Sequence, residues 1–168
     1  TNFSKIPGSP VAYWASENFI RAFENGRLLG EIASSKQGIA TADNNRFLRE
    51  WYEVNVEKIL FDCSTHEESK TSPAKWYPYN KGGEFRKWYG NNDYVVNWQY
   101  DGAELRNFKK SVIRNPNFYF MPCFSWSLIS SSVAAFRYKP KGHIFDVAGM
   151  SCFSNDKLHY LLAPVSYT

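Results

Sequence analysis

The 168-residue chain has only three cysteines, Cys63, Cys123 and Cys152. They lie far apart and are odd in number, which excludes a disulfide framework and any paired C-x-x-C zinc site. No apolar run approaches the roughly 18 residues that a bilayer crossing needs, and no signal-peptide pattern opens the chain. Strong charge of one sign is missing too: 20 Lys and Arg against 16 Asp and Glu leave a net charge of +4. That excludes a histone-like tail, yet admits a polyanionic partner where the charge is clustered. These absences predict a protein with no membrane segment, at home in a reducing cytoplasm. The chain also opens at Thr1 without an initiator Met, as a piece excised from something longer would.

What is abundant is aromatic. Phe, Trp and Tyr make up 18% of the residues, spread among polar and charged neighbours. A chain of this length can bury a core unaided, so one domain over residues 1–168 is the expectation. "GSPVAYWASENFIRAFENG" reads as an amphipathic helix. Ser9 caps it, Pro10 takes its first turn and Gly26 offers a left-handed stop, with Val11, Ala15, Phe19 and Phe23 forming a stripe to pack on the rest of the domain. Beyond Arg27 the pattern shortens into the runs "FLREWYEV", "KILFD", "EFRKWYG", "DYVVNWQYD", "NFYFMPCFSWSLIS", "AFRYKP" and "HIFDVAGMSCF", separated by Gly, Asn, Pro and Lys. These read as short, mostly antiparallel strands, interrupted by polar helices at "THEESK" and "DGAELRNFKK". The fold class predicted is α+β, dominated by sheet.

Motifs for chemistry are scarce. Cys63 and His66 have a C-x-x-H spacing without a second pair, too little for a four-ligand metal site. "GHIFDVAGMSC" sets His143, Asp146 and Cys152 close in sequence, but a triad is defined by geometry, and a core strand beside a buried thiol is the plainer reading. Asn115-Pro116-Asn117-Phe118 approximates the Asn/Asp-Pro-Pro-Tyr/Phe loop with which amino-group methyltransferases hold a flipped adenine, except that Asn stands where the second proline belongs. No glycine-rich strand-to-helix turn for a methyl donor accompanies it, and no phosphate-binding loop, paired metal carboxylates or nucleophile elbow appears. Gly82 and Gly83 read as a turn between strands.

Three polar and aromatic segments remain. "QGIATADNNRF" gathers amide, hydroxyl and guanidinium groups suited to base edges. "KWYPYNKGGEFRKWYGN" interleaves Lys and Arg with Trp and Tyr, suited to phosphates and stacking. "WSLISSSVAAFRYKPKG" adds a serine run and further cations. Each alone has an ordinary structural explanation, as a capped turn, an aromatic hairpin or a solvated strand edge. Their coincidence in a chain with no other site favours DNA contact.

At these residues a resemblance enters. "IPGSPVAYW", "QGIATADNNRFLREWYEV", "KWYPYNKGGEFRKWYGNNDYVVNW", "SWSLISSS" and "IFDVAGMS" resemble the region after the catalytic core of adenine-specific DNA methyltransferases of the BREX phage-defence system, relatives of fused type II restriction-modification enzymes. The likeness spans roughly Ile6 to Phe153. The G-x-x-T-x-D/N-N-x-x-F pattern from Gly38 to Phe47 is similar to the entry motif of TaqI-like target-recognition domains, with Ala42 where many relatives have Gly. The resemblance implies a target-recognition fragment with no cofactor of its own. S-adenosylmethionine and the catalytic loop would belong to the rest of the parent, and duplex DNA and the parent's catalytic domain would be the partners. Arg46, Lys81, Arg86, Lys87 and Arg137 would then anchor phosphates or read guanine, and Gln37, Thr41, Asn44, Asn80 and Ser131 would read base edges. The rival expectation is a docking module, its exposed rings seated on other subunits of a defence complex.

Overall fold

In a computed structural model of the chain, residues 16–129 and 133–165 are described, with Gly8 and Trp14. Two compact units emerge, residues 1–32 and residues 33–168.

In the first unit, helix α1 spans Glu17–Asn25 and a single turn, α2, spans Leu29–Ile32. Ser9 and Pro10, expected to start α1, lie outside the described residues. The helix starts at Ser16, whose extended backbone lets its Oγ accept the Phe19 N–H at 3.2 Å. Gly26 does end it, but with φ −74° and ψ 147°, so the stop needs no left-handed residue. The stripe expected to be buried is about half exposed, Phe19 at 52% and Phe23 at 46%, while Ile20 on the same helix is buried. The Phe19 and Phe23 rings meet edge to face at 5.2 Å.

The second unit is α+β, as the strand-rich pattern predicts. One four-stranded sheet runs in the order β1 (Ser34–Lys36), β8 (Gly149–Phe153), β5 (Cys123–Ser127), β6 (Phe136–Lys139), all antiparallel. The other runs β2 (Leu48–Glu50), β4 (Tyr94–Asn97), β3 (Trp76–Asn80), β7 (Ile144–Phe145), antiparallel except for the β3–β7 pair. Helices α3 (Asn44–Phe47), α4 (His66–Thr71), α5 (Gln99–Asn107) and α6 (Leu158–Val165) connect or flank them. Part of the aromatic excess goes into the core, where Tyr77, Tyr79, Trp98, Tyr119 and Phe145 are all buried, while Phe61, Phe85, Trp88 and Tyr89 stay exposed.

β3, "WYPYN", lies in the segment whose structural reading is an aromatic hairpin and is a central strand wholly out of solvent. Pro78 is tolerated because β7 pairs only with Tyr79 and Asn80, so the missing N–H falls outside that ladder. Asn80 then ties the two sheets together. Its carbonyl accepts the Asp146 N–H at 3.0 Å, and its amide donates to Gly149 O and Ser151 Oγ on β8, each at 3.2 Å. Gly38 is required by close approach: a Cβ there would lie 1.6 Å from the Phe145 carbonyl oxygen.

At a kink inside α5, Tyr100 and Asp101 adopt left-handed angles, φ 53° and φ 56°, which cost free energy in non-glycine residues. The Asp101 carboxylate offsets that by meeting His66 Nδ1 at 2.5 Å, Ser69 Oγ at 3.1 Å, Trp98 Nε1 at 3.2 Å and Arg106 at 3.0 Å.

Candidate nucleic-acid interface

The segment 37–47 is first of all a self-bonded turn. Thr41 is buried and donates from Oγ1 to Asn44 Oδ1 at 2.6 Å. Asp43 caps α3 by accepting the Arg46 N–H at 3.1 Å, and Phe47 anchors the far end in the core. Ala42, between Thr41 and Asp43, has φ 59°, a left-handed angle that explains why the motif favours glycine there. Thr41 therefore orients Asn44 from the interior, which corrects the expectation that it reads a base edge itself. With Asn44 Oδ1 occupied, its exposed amide N–H groups face outward as donors.

Asn44 lines a polar cavity of about 420 Å³ with Asn45, Arg49, Glu50, Glu53, Lys81 and Tyr94. Sheet register explains the gathering: Glu50 on β2 stands opposite Tyr94 on β4, which stands opposite Tyr79 on β3, two residues before Lys81. Arg49 is held to its own chain, its NH1 donating to Asn45 O at 2.6 Å and Leu48 O at 2.5 Å. Glu53 Oε2 accepts the Glu50 N–H at 2.8 Å. The Lys81 ammonium lies 4.6 Å from the centre of the Tyr94 ring, a cation–π contact at the mouth. With Arg49 and Lys81 set against Glu50 and Glu53, the pocket is no simple phosphate hole. It offers donors and acceptors side by side, the combination that discriminates base edges.

Of the expected residues, then, Asn44 and Lys81 are brought together. Arg86 is exposed on the loop after Lys81 and Lys87 is half buried there. Gln37 is exposed elsewhere, its carbonyl accepting from Asn115 Nδ2 at 2.8 Å. Arg46 is exposed but ion-paired with Glu104 at 2.7 Å and stacked by Phe108. Ser131 lies outside the described residues.

Asn80 and Arg137 are corrections. Both are fully buried, Asn80 between the sheets and Arg137 on β6, donating to Ser127 Oγ at 3.0 Å and to Arg86 O at 3.3 Å. Neither side chain can reach a base while the fold is intact. Lys139, two residues on and equally buried, donates to Gly90 O and Asn91 O at 2.8 Å each and to Asn92 Oδ1 at 2.5 Å. Burial lowers its pKa to about 8. Among the described residues, neither Arg137 nor Lys139 has a carboxylate at ion-pair distance.

Sequence reasoning named Asn45 among the amides of its loop but missed Arg49, Glu50, Glu53 and Tyr94. Three of these four lie in "FLREWYEV", read as one strand, whereas β2 is a short edge strand that breaks at Trp51 into a 3₁₀ turn.

The other motifs resolve into packing. Burial raises the Cys63 thiol to about 11, raises Cys123 to about 12 and pushes Cys152 up as well, so all three stay protonated and unreactive. Asp146 accepts the Tyr79 hydroxyl at 2.9 Å and the Ala148 N–H at 2.7 Å, and burial lowers the His143 pKa to about 4. Phe118 packs on Phe153 at 4.9 Å. Among the described residues no three His, Cys, Asp or Glu side chains gather as a metal site, and no helix is long and apolar enough to cross a membrane. Among the described residues, β4 runs into α5 through Asn97 and the fully buried Trp98 and not through a glycine-rich turn of the kind that cradles a nucleotide-like donor.

No protein-family model matches the chain. Comparison with individual proteins gives its class: it is homologous to one part of adenine-specific methyltransferases. It is 44% identical over 166 residues to the adenine-specific methyltransferase PglX of Lacticaseibacillus casei (strain Zhang), covering 93% of this chain and 14% of that protein. It is 41% identical over 160 residues to the adenine-specific methyltransferase BrxX of Escherichia coli O9:H4 (strain HS), covering 94% and 12% respectively. The chain thus spans 12–14% of the length of these relatives, and the resemblance read from the motifs agrees with their names.

Proposed function

We propose that this chain is a DNA target-recognition module of a BREX-type adenine-specific DNA methyltransferase, holding duplex DNA for a catalytic domain outside it. The observation that carries the reading is the polar pocket, which joins Asn44 from one polar segment to Lys81 from another on a chain homologous to such enzymes. Asn44 and Asn45 supply amides for adenine edges, Glu50 and Glu53 supply acceptors for exocyclic amino groups, and Lys81 with Arg86 meets phosphates. The unneutralised charges of Arg137 and Lys139 beneath the loop 81–93 add positive potential without touching the ligand. Methyl transfer from S-adenosylmethionine would be the work of the parent's other residues, and the site of action the cytoplasm.

The test is fluorescence anisotropy of the chain with short duplexes of varied sequence, from low to physiological salt. Sequence-dependent binding on a steep salt slope is expected, with Asn44→Ala relaxing sequence preference and Lys81→Ala lowering the slope by about 1. Binding that ignores salt and sequence alike would overturn the reading. One observation favours a second reading, docking onto another protein: Phe19, Phe23, Leu28 and Leu29 in the first unit line a shallow apolar cavity of about 370 Å³ and are each at least 46% exposed.

A further inference from the structure

Tyr94 lines a second cavity besides the polar one. This one, about 270 Å³, is walled by Trp51, Phe61, Pro78, Tyr89, Tyr94 and His143. Trp51, Phe61 and Tyr89 are 46%, 50% and 63% exposed, three large rings lining one concavity. Large rings left facing a concavity mark a binding site more often than a packing failure.

The walls are set in advance of any ligand. The Trp51 N–H donates to Asp93 O at 2.9 Å, and the turn carrying Tyr89 is clamped from below by Lys139 through Gly90, Asn91 and Asn92. Asn92, whose Oδ1 accepts from Lys139, also lines the cavity. The lining carries no permanently charged side chain, and burial keeps His143 neutral near pH 7. The volume falls below the roughly 300–1,000 Å³ of pockets for drug-sized ligands, so it suits one flat ring system. Lys81 stands over the Tyr94 ring at 4.6 Å, a cation at the border of the neutral aromatic slot.

We infer that this slot receives a single unstacked nucleobase of a DNA strand, its ring stacked among Trp51, Tyr89 and Tyr94 and its phosphate held at Lys81. The inference rests on the DNA-recognition reading and deepens it, adding a base taken out of the duplex to edges read within it. A proline-rich peptide also suits aromatic grooves, but the adjoining cation and the compact shape favour a nucleotide.

Two duplexes of one sequence test it on the full chain, one fully paired and one with a single bulged 2-aminopurine. The bulged duplex should bind roughly tenfold more tightly, with the 2-aminopurine quenched on binding. Trp51→Ala combined with Tyr89→Ala should erase that preference and the quenching while leaving affinity for the paired duplex unchanged. Both rings are exposed, and an unaltered melting temperature would verify the fold. Equal affinity for the two duplexes, or a preference surviving the double variant, would overturn the slot while leaving the DNA reading standing. Failure to bind either duplex in a salt-dependent way would instead sink the DNA reading and the slot with it. A proline-rich peptide that perturbs wild-type but not Trp51→Ala fluorescence, with no bulge preference, would make the slot a peptide site and also overturn the inference.

Discussion

Strand β6 and the loop 81–93 carry the same kinds of residue to opposite ends. Arg137 and Lys139 on β6 are 0% exposed, and their charges are spent on carbonyl and hydroxyl oxygens. Arg86 on the loop is exposed, and Lys81 is half buried at a pocket mouth. The loop's backbone is held by the strand's cations: Arg86 O by Arg137, Gly90 O and Asn91 O by Lys139. A cation can thus serve a binding surface without belonging to it, by satisfying the backbone of the loop that does.

The largest effect separating the two regions should come from Lys139→Ala. It strips three oxygens of their donor and should cost roughly 3–5 kcal/mol, read as the midpoint shift in urea unfolding. Next is a pH effect confined to the interior. The His143 pKa is lowered from 6.5 to about 4, so below pH 6.5 the unfolded chain takes up a proton that the folded chain refuses. Its stabilising contribution is whole above pH 6.5 and shrinks by about 3 kcal/mol as pH falls towards 4, and His143→Gln should flatten that part of the stability–pH curve. Third, Arg86→Ala should leave stability within about 0.5 kcal/mol and lower the salt slope of DNA binding by about 1. A large loss of stability instead would erase the distinction between loop and strand. Smallest is Arg46→Ala: its ion pair with Glu104 is 49% and 44% exposed, so thermal unfolding should register under about 1 kcal/mol.

The same contrast explains what was legible in the sequence. The polar helices at "THEESK" and "DGAELRNFKK" follow from local pattern and fall where α4 and α5 lie, and "DYVVNWQYD", "NFYFMPCFSWSLIS" and "AFRYKP" each contain a strand, β4, β5 and β6, shorter than the run itself. The burial of β3 was hidden because its interleaved cations and rings suggested a binding surface, while that burial comes from β4 and β7, β7 lying far along the chain. Within the first predicted helix an extended Ser16 caps α1 despite a continuous apolar periodicity, a break that periodicity alone does not announce. At the site, side-chain chemistry pointed to Asn44 and Lys81, and burial separated them from Thr41, Asn80 and Arg137. The remaining lining residues join through sheet register, which residue type alone does not announce.

Asn80 carries a consequence for how the unit opens. Its backbone carbonyl bonds β3 to the turn after β7 and its side-chain amide bonds it to β8, so the ladders on either side share a fastening out of reach of water. Partial unfolding that released one sheet would strand this amide or its acceptors without partners. Amide protons of β3 and β8 should therefore exchange with deuterium at matched rates, as a single cooperative foldon, ahead of which only the outlying turns would fray.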